Sequence, residues 1–210
     1  ASLLAGCISL FPKTEPAQLY RFGVTMPQVQ EATSAKPDFG VLLTDTGFDR
    51  AAAGDRILTI TGTQAAYIKD ARWVSSSVGL FDSALQRAFD ADKGPARLVD
   101  RAEIVHADYV LKLDVRTFEV RYDHGQVATP TIVVEVHAAL PRTQDRTVVG
   151  DRSFSAAVTA RDNRVGAIAE RFEDRATVGL DHLTQDGIVA RQGGRHRVRV
   201  LLPQLRAARD

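Results

Sequence analysis

An unbroken alternation marks the middle of the chain: Ile132, Val134, Val136, Ala138 and Leu140 occupy every second position. That period of two predicts a strand with one buried face. Just before it, Leu111, Leu113 and Val115 share one parity, while Phe118, Val120 and Tyr122 share the other. A parity switch inside the strand Tyr109 to Tyr122 predicts a bulge near Arg116-Thr117. Asp123-His124-Gly125 supplies the turn between the two arms. After a second turn over Pro141 to Asp145, Thr147 to Val158 forms a third arm, with Phe154, Ala156 and Val158 inward. Three arms joined by short turns make an antiparallel meander.

The N-terminal half carries shorter extended runs. Leu19 to Val24, Phe39 to Thr44, Arg56 to Thr61, Ala65 to Trp73 and Arg97 to Val99 read as strands. Met26 to Asp38 holds Pro27 and Pro37 and reads as a loop, and Asp45 to Gly54 as a connector. Two segments change to helical spacing. Val78, Phe81, Leu85, Ala88 and Phe89 form one apolar stripe, with Ser75 or Ser76 placed to cap its start and Lys93-Gly94-Pro95 to stop it. Asn163 opens the second, where Val165, Ile168, Ala169, Phe172, Ala176, Leu180 and Leu183 share a face up to Gly187. Neither helix is apolar all round, so each covers a sheet face. The expected architecture is α+β: a two-layer domain with a mostly antiparallel sheet, a central meander and two amphipathic helices packed on it.

Composition narrows the class. The 210 residues suit one domain able to bury a full core without crosslinks. A net charge of +1 argues against a general nucleic-acid binder. No apolar run approaches the ~18 residues of a membrane span. The single Cys excludes an intramolecular disulfide.

That Cys closes Leu4-Ala5-Gly6-Cys7, which resembles a bacterial lipobox. Apolar residues lead to two small ones, the form a signal peptidase accepts. Cleavage before Cys7 and acylation of its sulfur would tether the domain to a membrane. Residues 1–6 then read as the remnant of a lipoprotein signal peptide, without the charged segment that opens one. Residues 7–18, with Pro12 and Pro16, read as the lipidated N-terminus and tether. Residues 19–187 form the domain. Residues 188–210 form a basic tail, where arginines alternate with Val198, Val200 and Leu202. An edge strand, a lipid-headgroup contact and an acidic partner all remain open for it.

Catalytic signatures are missing from the sequence. It has no Gly-x-Ser-x-Gly elbow, no phosphate-cradling glycine loop and no His-Glu-x-x-His. His106, His124, His137, His182 and His196 show no ligand spacing, so no metal or cofactor is expected. Asp108, Asp114, Glu119 and Glu135 fit salt bridges to Arg116 or Arg121 across the sheet. Trp73 reads as core.

With those residues placed, the chain resembles the ABC-type transport auxiliary lipoproteins, the family that includes paraquat-inducible protein C. Its carriers are Leu4 to Cys7, Gln18-Leu19-Tyr20-Arg21-Phe22, and Ala66-Tyr67-Ile68 to Ala71-Arg72-Trp73. The helix through Leu80-Phe81 and Leu85, the strand Tyr109 to Val115 with Phe118, and the final helix extend the likeness. The resemblance implies a non-enzymatic lipoprotein of a Gram-negative envelope, lipid-anchored on the periplasmic face of the outer membrane. It implies a mammalian-cell-entry-type substrate-binding protein as partner, forming a lipid conduit that the lipoprotein docks. A homo-oligomer and direct lipid contact are compatible with it. Two rival readings are a pilot-like assembly lipoprotein of another outer-membrane machine and a lipid-tethered enzyme.

Overall fold

A computed structural model describes residues 16–23, 39–91, 96–99 and 107–173. Nine strands and a helix run in the order β1 (Gln18–Tyr20), β2 (Phe39–Leu43), β3 (Gly47–Phe48), β4 (Arg56–Thr61), β5 (Gln64–Trp73), α1 (Ser77–Ala91), β6 (Ala96–Val99), β7 (Tyr109–Arg121), β8 (Thr131–Pro141) and β9 (Val148–Thr159). A second helix, α2, occupies residues 165–173. This is an α+β fold on one mixed, open sheet.

β7 organises that sheet. Along one edge it pairs antiparallel with β8, from Lys112↔Ala139 to Arg121↔Thr131, and β8 pairs in turn with β9. Along its other edge three short parallel strands follow one another. β2 pairs at Tyr109 to Leu111, β3 at Asp114 and Val115, and β4 at Val120 and Arg121. β6 extends β2, while β5 and β1 extend β4. The longest ladders are antiparallel; parallel pairs fill in the N-terminal strands.

The expected bulge is present. Val115 pairs with Val136 but Thr117 pairs with Glu135, leaving Arg116 as the extra residue. The insertion keeps Val115, Phe118 and Val120 all buried, at 0%, 3% and 0% exposure, despite their change of parity.

Both helices cover one face of the sheet through a cluster of rings. Phe118 of β7 lies 4.6 Å from Phe172 of α2, 5.2 Å from Phe22 and 5.4 Å from Phe48 of β3. Trp73 meets Phe22 edge-on at 5.0 Å and Phe172 at 5.2 Å, and Phe48 meets Phe81 of α1 at 6.1 Å. Trp73 is core, as expected. Edge-to-face packing of this kind adds roughly 0.5–1.5 kcal/mol per pair to the area buried.

Several local expectations are corrected. The first strand ends at Tyr20, opposite Trp73 where its partner β5 ends, and Gly23 then adopts φ +73°. Ser76 is the cap of α1, its Oγ accepting from the Gly79 amide at 3.2 Å. The connector 45–54 contains β3. Asn163 does not cap α2: its Oδ1 accepts from the Tyr122 hydroxyl at 2.9 Å and its Nδ2 donates to the Gln126 carbonyl at 2.7 Å. The first helical bond, from the Ile168 amide, reaches the Arg164 carbonyl instead. Phe154, Ala156 and Val158 face the helix side but are only half-buried, because β9 lies at an edge. The loop Met26 to Asp38, the stop Lys93-Gly94-Pro95, the end of α2 and the tail 188–210 lie outside the described residues.

Candidate functional site

Leu4, Ala5, Gly6 and Cys7 also lie outside the described residues, so the lipidation site carries no geometry. What the structure does display is the face of the sheet that the helices leave open.

That face is charged and internally paired. Asp114 accepts from Arg116 at 3.1 Å, and Glu119 from Arg121 at 2.7 Å. These are neighbours along β7, two residues apart, rather than the cross-strand pairs expected. Glu135 instead accepts from the Thr117 hydroxyl across the β7–β8 ladder at 2.8 Å. His137 Nε2 lies 3.0 Å from Asp151 Oδ1 on β9. Exposed pairs of this kind contribute about 0–1 kcal/mol each. Their effect is to keep a broad strand surface wet.

One cavity opens on this face. β3 leaves β7 at Val115 and β4 joins it at Val120, so the β7 edge between them has no strand beside it. A space of about 180 Å³ fills the gap, floored by Leu58, Ile60, Ala65 and Phe118 and walled by Ala51 and Ala52. Asp49, Arg116 and Glu119 form the rim. Each rim charge already has a partner. Asp49 Oδ1 accepts from the Ala51 amide at 2.8 Å, while Arg116 and Glu119 hold the pairs above. The Tyr67 hydroxyl donates to the Ala51 carbonyl at 3.1 Å, and Arg56 stacks 3.7 Å above its ring, so the wall is held against β5. The cavity is a shallow apolar recess whose rim charges are each hydrogen-bonded or ion-paired. It offers a seat for a small apolar group and holds no nucleophile–base pair.

The perturbed groups lie elsewhere. Burial pushes the Asp82 carboxyl on α1 above its ordinary value; the Thr46 hydroxyl, donating at 2.6 Å, opposes this, and Asp45 adds to it. Burial also raises Tyr122, the partner of Asn163. Neither touches the cavity. Among the described residues no three His, Cys, Asp or Glu side chains gather as metal ligands. Asp108, expected to form an ion pair, serves the fold: its Oδ2 accepts from the Gly40 amide at 3.1 Å and ties β2 to the start of β7. The recess was missed from sequence, although the parity switch at Arg116 marks where it opens.

The described residues form an α+β domain with a solvated strand face and a shallow apolar recess. The chain belongs to the family of ABC-type transport auxiliary lipoprotein components, whose model matches residues 20–176. That span takes in nearly the whole described fold. A solved protein from Xanthomonas campestris is 24% identical, with a TM-score of 0.65 over 80% of this chain and 93% of that one. A second solved structure, of an uncharacterized protein, is 12% identical, with a TM-score of 0.63 over 81% and 98%. Both likenesses establish the fold. None of the curated proteins matches the chain. The family is one of lipoproteins, which places the chain among membrane-anchored envelope proteins that assist ABC-type transport.

Proposed function

We propose that this chain is a non-enzymatic component of an envelope lipid-transport system of the mammalian-cell-entry type. In this reading, acylated Cys7 anchors it on the periplasmic face of the outer membrane, where it docks the periplasmic conduit. The observation that carries the reading is the family match over residues 20–176, which covers the domain and starts soon after a lipobox-like Leu4 to Cys7.

The physical arrangement supports it. Each buried methylene of an acyl chain adds about 0.8 kcal/mol of membrane affinity, and two chains hold a protein durably. Residues 8–17 separate Cys7 from β1 and reach at most ~35 Å when extended. A domain on such a leash stays close to its membrane and presents its surface to a partner arriving from the other side. A paired, hydrated sheet face suits a docking contact that forms and separates.

The test is affinity recovery of the full-length, lipid-bearing protein from crosslinked envelopes, with mass spectrometry of what comes with it. A mammalian-cell-entry-type substrate-binding protein is expected. Recovery of outer-membrane secretion or assembly proteins in its place would sink the reading and favour a pilot-like role. In parallel, Cys7→Ser is expected to abolish labelling by radioactive palmitate and to release the protein from the membrane fraction.

A further inference from the structure

Among the described residues the sheet is uncovered along β1, β3, β6, β9 and the Gln64–Asp70 stretch of β5, and these edges are unlike one another. The β5 stretch is guarded by Lys69, by Asp70 at φ 55° and by a shift in its register against β4, and β3 has only two residues. β1 contributes three residues and β6 four, too short to template another strand. β9 contributes twelve residues and, among the described residues, pairs only with β8. Its first half carries the usual guards of an edge. Register shifts where Leu140 and Pro141 meet β9, Gly150 interrupts the run, Asp151 points outward, and Arg152 points toward the helix side. Its second half carries none. Ser153 to Thr159 reads Ser-Phe-Ser-Ala-Ala-Val-Thr, with no charge, no proline and an unbroken register against Thr131 to His137. Phe154, Ala156 and Val158 on the helix side are left half-exposed.

We infer that residues 153–159 of β9 pair antiparallel with the same residues of a second copy of this chain, extending the sheet across a two-fold axis at Ala156. The register follows from the side chains. A two-fold perpendicular to the sheet keeps the helix side of both copies on one side, so inward residues must meet inward residues. Centred on Ala156, it sets Phe154 against Val158 of the second copy, an aromatic and β-branched pair of the kind cross-strand contacts favour. On the open face Ser153 meets Thr159, and Ser155 meets Ala157. No charged side chain falls inside the paired run. The uncharged half of β9 is thus complementary to itself over its full length, which is why a second copy is the occupant.

The test uses exposed positions, where the monomer fold is indifferent. In the Cys7→Ser full chain, which carries no acyl group, sedimentation velocity across micromolar concentrations measures self-association. The S155K/A157K variant sets two lysine pairs directly opposed across the axis and is expected to weaken the dimer at least about tenfold. The S155K/A157E variant changes the same two positions but opposes lysine to glutamate twice, and is expected to dimerise like the parent chain. Thermal unfolding of each variant confirms that both are folded. A monomeric parent chain, an S155K/A157K variant that dimerises like the parent, or an S155K/A157E variant as weak as S155K/A157K would each overturn the inference.

Discussion

Gly23→Ala perturbs the point where the N-terminal strand is pinned to α1. Gly23 holds φ +73°, a left-handed conformation that costs an L-residue about 1–2 kcal/mol. A methyl group there would overlap the Cβ of Ala84, with the Ala84 Cα only 3.3 Å away, so the helix backbone itself would have to shift. Overpacking of that kind costs about 1–3 kcal/mol. The Gly23 carbonyl also accepts from Arg87 Nε at 2.7 Å, so the chain cannot swing clear without losing that bond. The expected loss is ~2–5 kcal/mol, against a domain stability of roughly 5–15 kcal/mol. Thermal unfolding followed by circular dichroism should show a fall in Tm of roughly 4–20 °C at ~2–4 °C per kcal/mol. Ala84→Gly provides the decisive second arm. Alone it costs about 1 kcal/mol of helix propensity and ~0.8 kcal/mol for the buried methyl. Combined with Gly23→Ala it removes the overlap but not the backbone strain, so the double variant should be ~1–3 kcal/mol better than additive. A Gly23→Ala protein within ~0.5 kcal/mol of the parent, or strictly additive doubles, would refute the packing argument.

Three further perturbations follow from the same geometry. Phe118→Ala empties the centre of the ring cluster and should cost about 3–5 kcal/mol in urea unfolding, more than Phe154→Ala at the half-exposed edge. Ser76→Ala removes the α1 cap and should cost about 0.5–2 kcal/mol, while Ser75→Ala should be nearly silent. Burial raises the Asp82 carboxyl above its ordinary value of 3.8, so the folded state holds that proton more tightly than the unfolded chain. The stabilisation it gives is complete below the unfolded value and is lost as pH rises through the folded one. Asp82→Asn should therefore remove this downward slope on the acidic side, and an unchanged slope in pH-dependent denaturation would contradict the assignment.

The meander was legible because alternation over many residues has one physical cause, a half-buried strand, and the side of the bulge could be read from the parity change at Arg116. The neighbours of each strand were not legible. Alternation in Phe39 to Leu43 says which side chains are inward, but nothing in it selects β6 and β7 as parallel partners. β3 is two residues long, too short to show a period. Asn163 has the residue type of a cap, yet Tyr122 and Gln126 compete for its amide and win, a contact 41 and 37 residues distant that local pattern cannot contain. The recess escaped notice for the same reason: it is a gap between two strands that meet β7 at different places. The proposed anchor at Leu4 to Cys7 rests on a motif, because four residues have no periodicity to read.

The three short strands lined up along one edge of β7 have a consequence for how the chain acquires its shape. β2, β3 and β4 precede β7 in the sequence, and the Gly40 amide finds its acceptor on Asp108 only 68 residues further on. During synthesis at about 5–20 residues per second, these strands emerge seconds before the surface that receives them. Until β7 arrives, β3 has no strand to pair with and β2 has only the four-residue β6, and their closing loops are long. Such non-local pairing slows folding and lengthens the interval in which apolar strands stand uncovered. The β4–β5 hairpin can close on its own, but the pieces of the N-terminal half cannot be joined into one sheet before the central strand has been made.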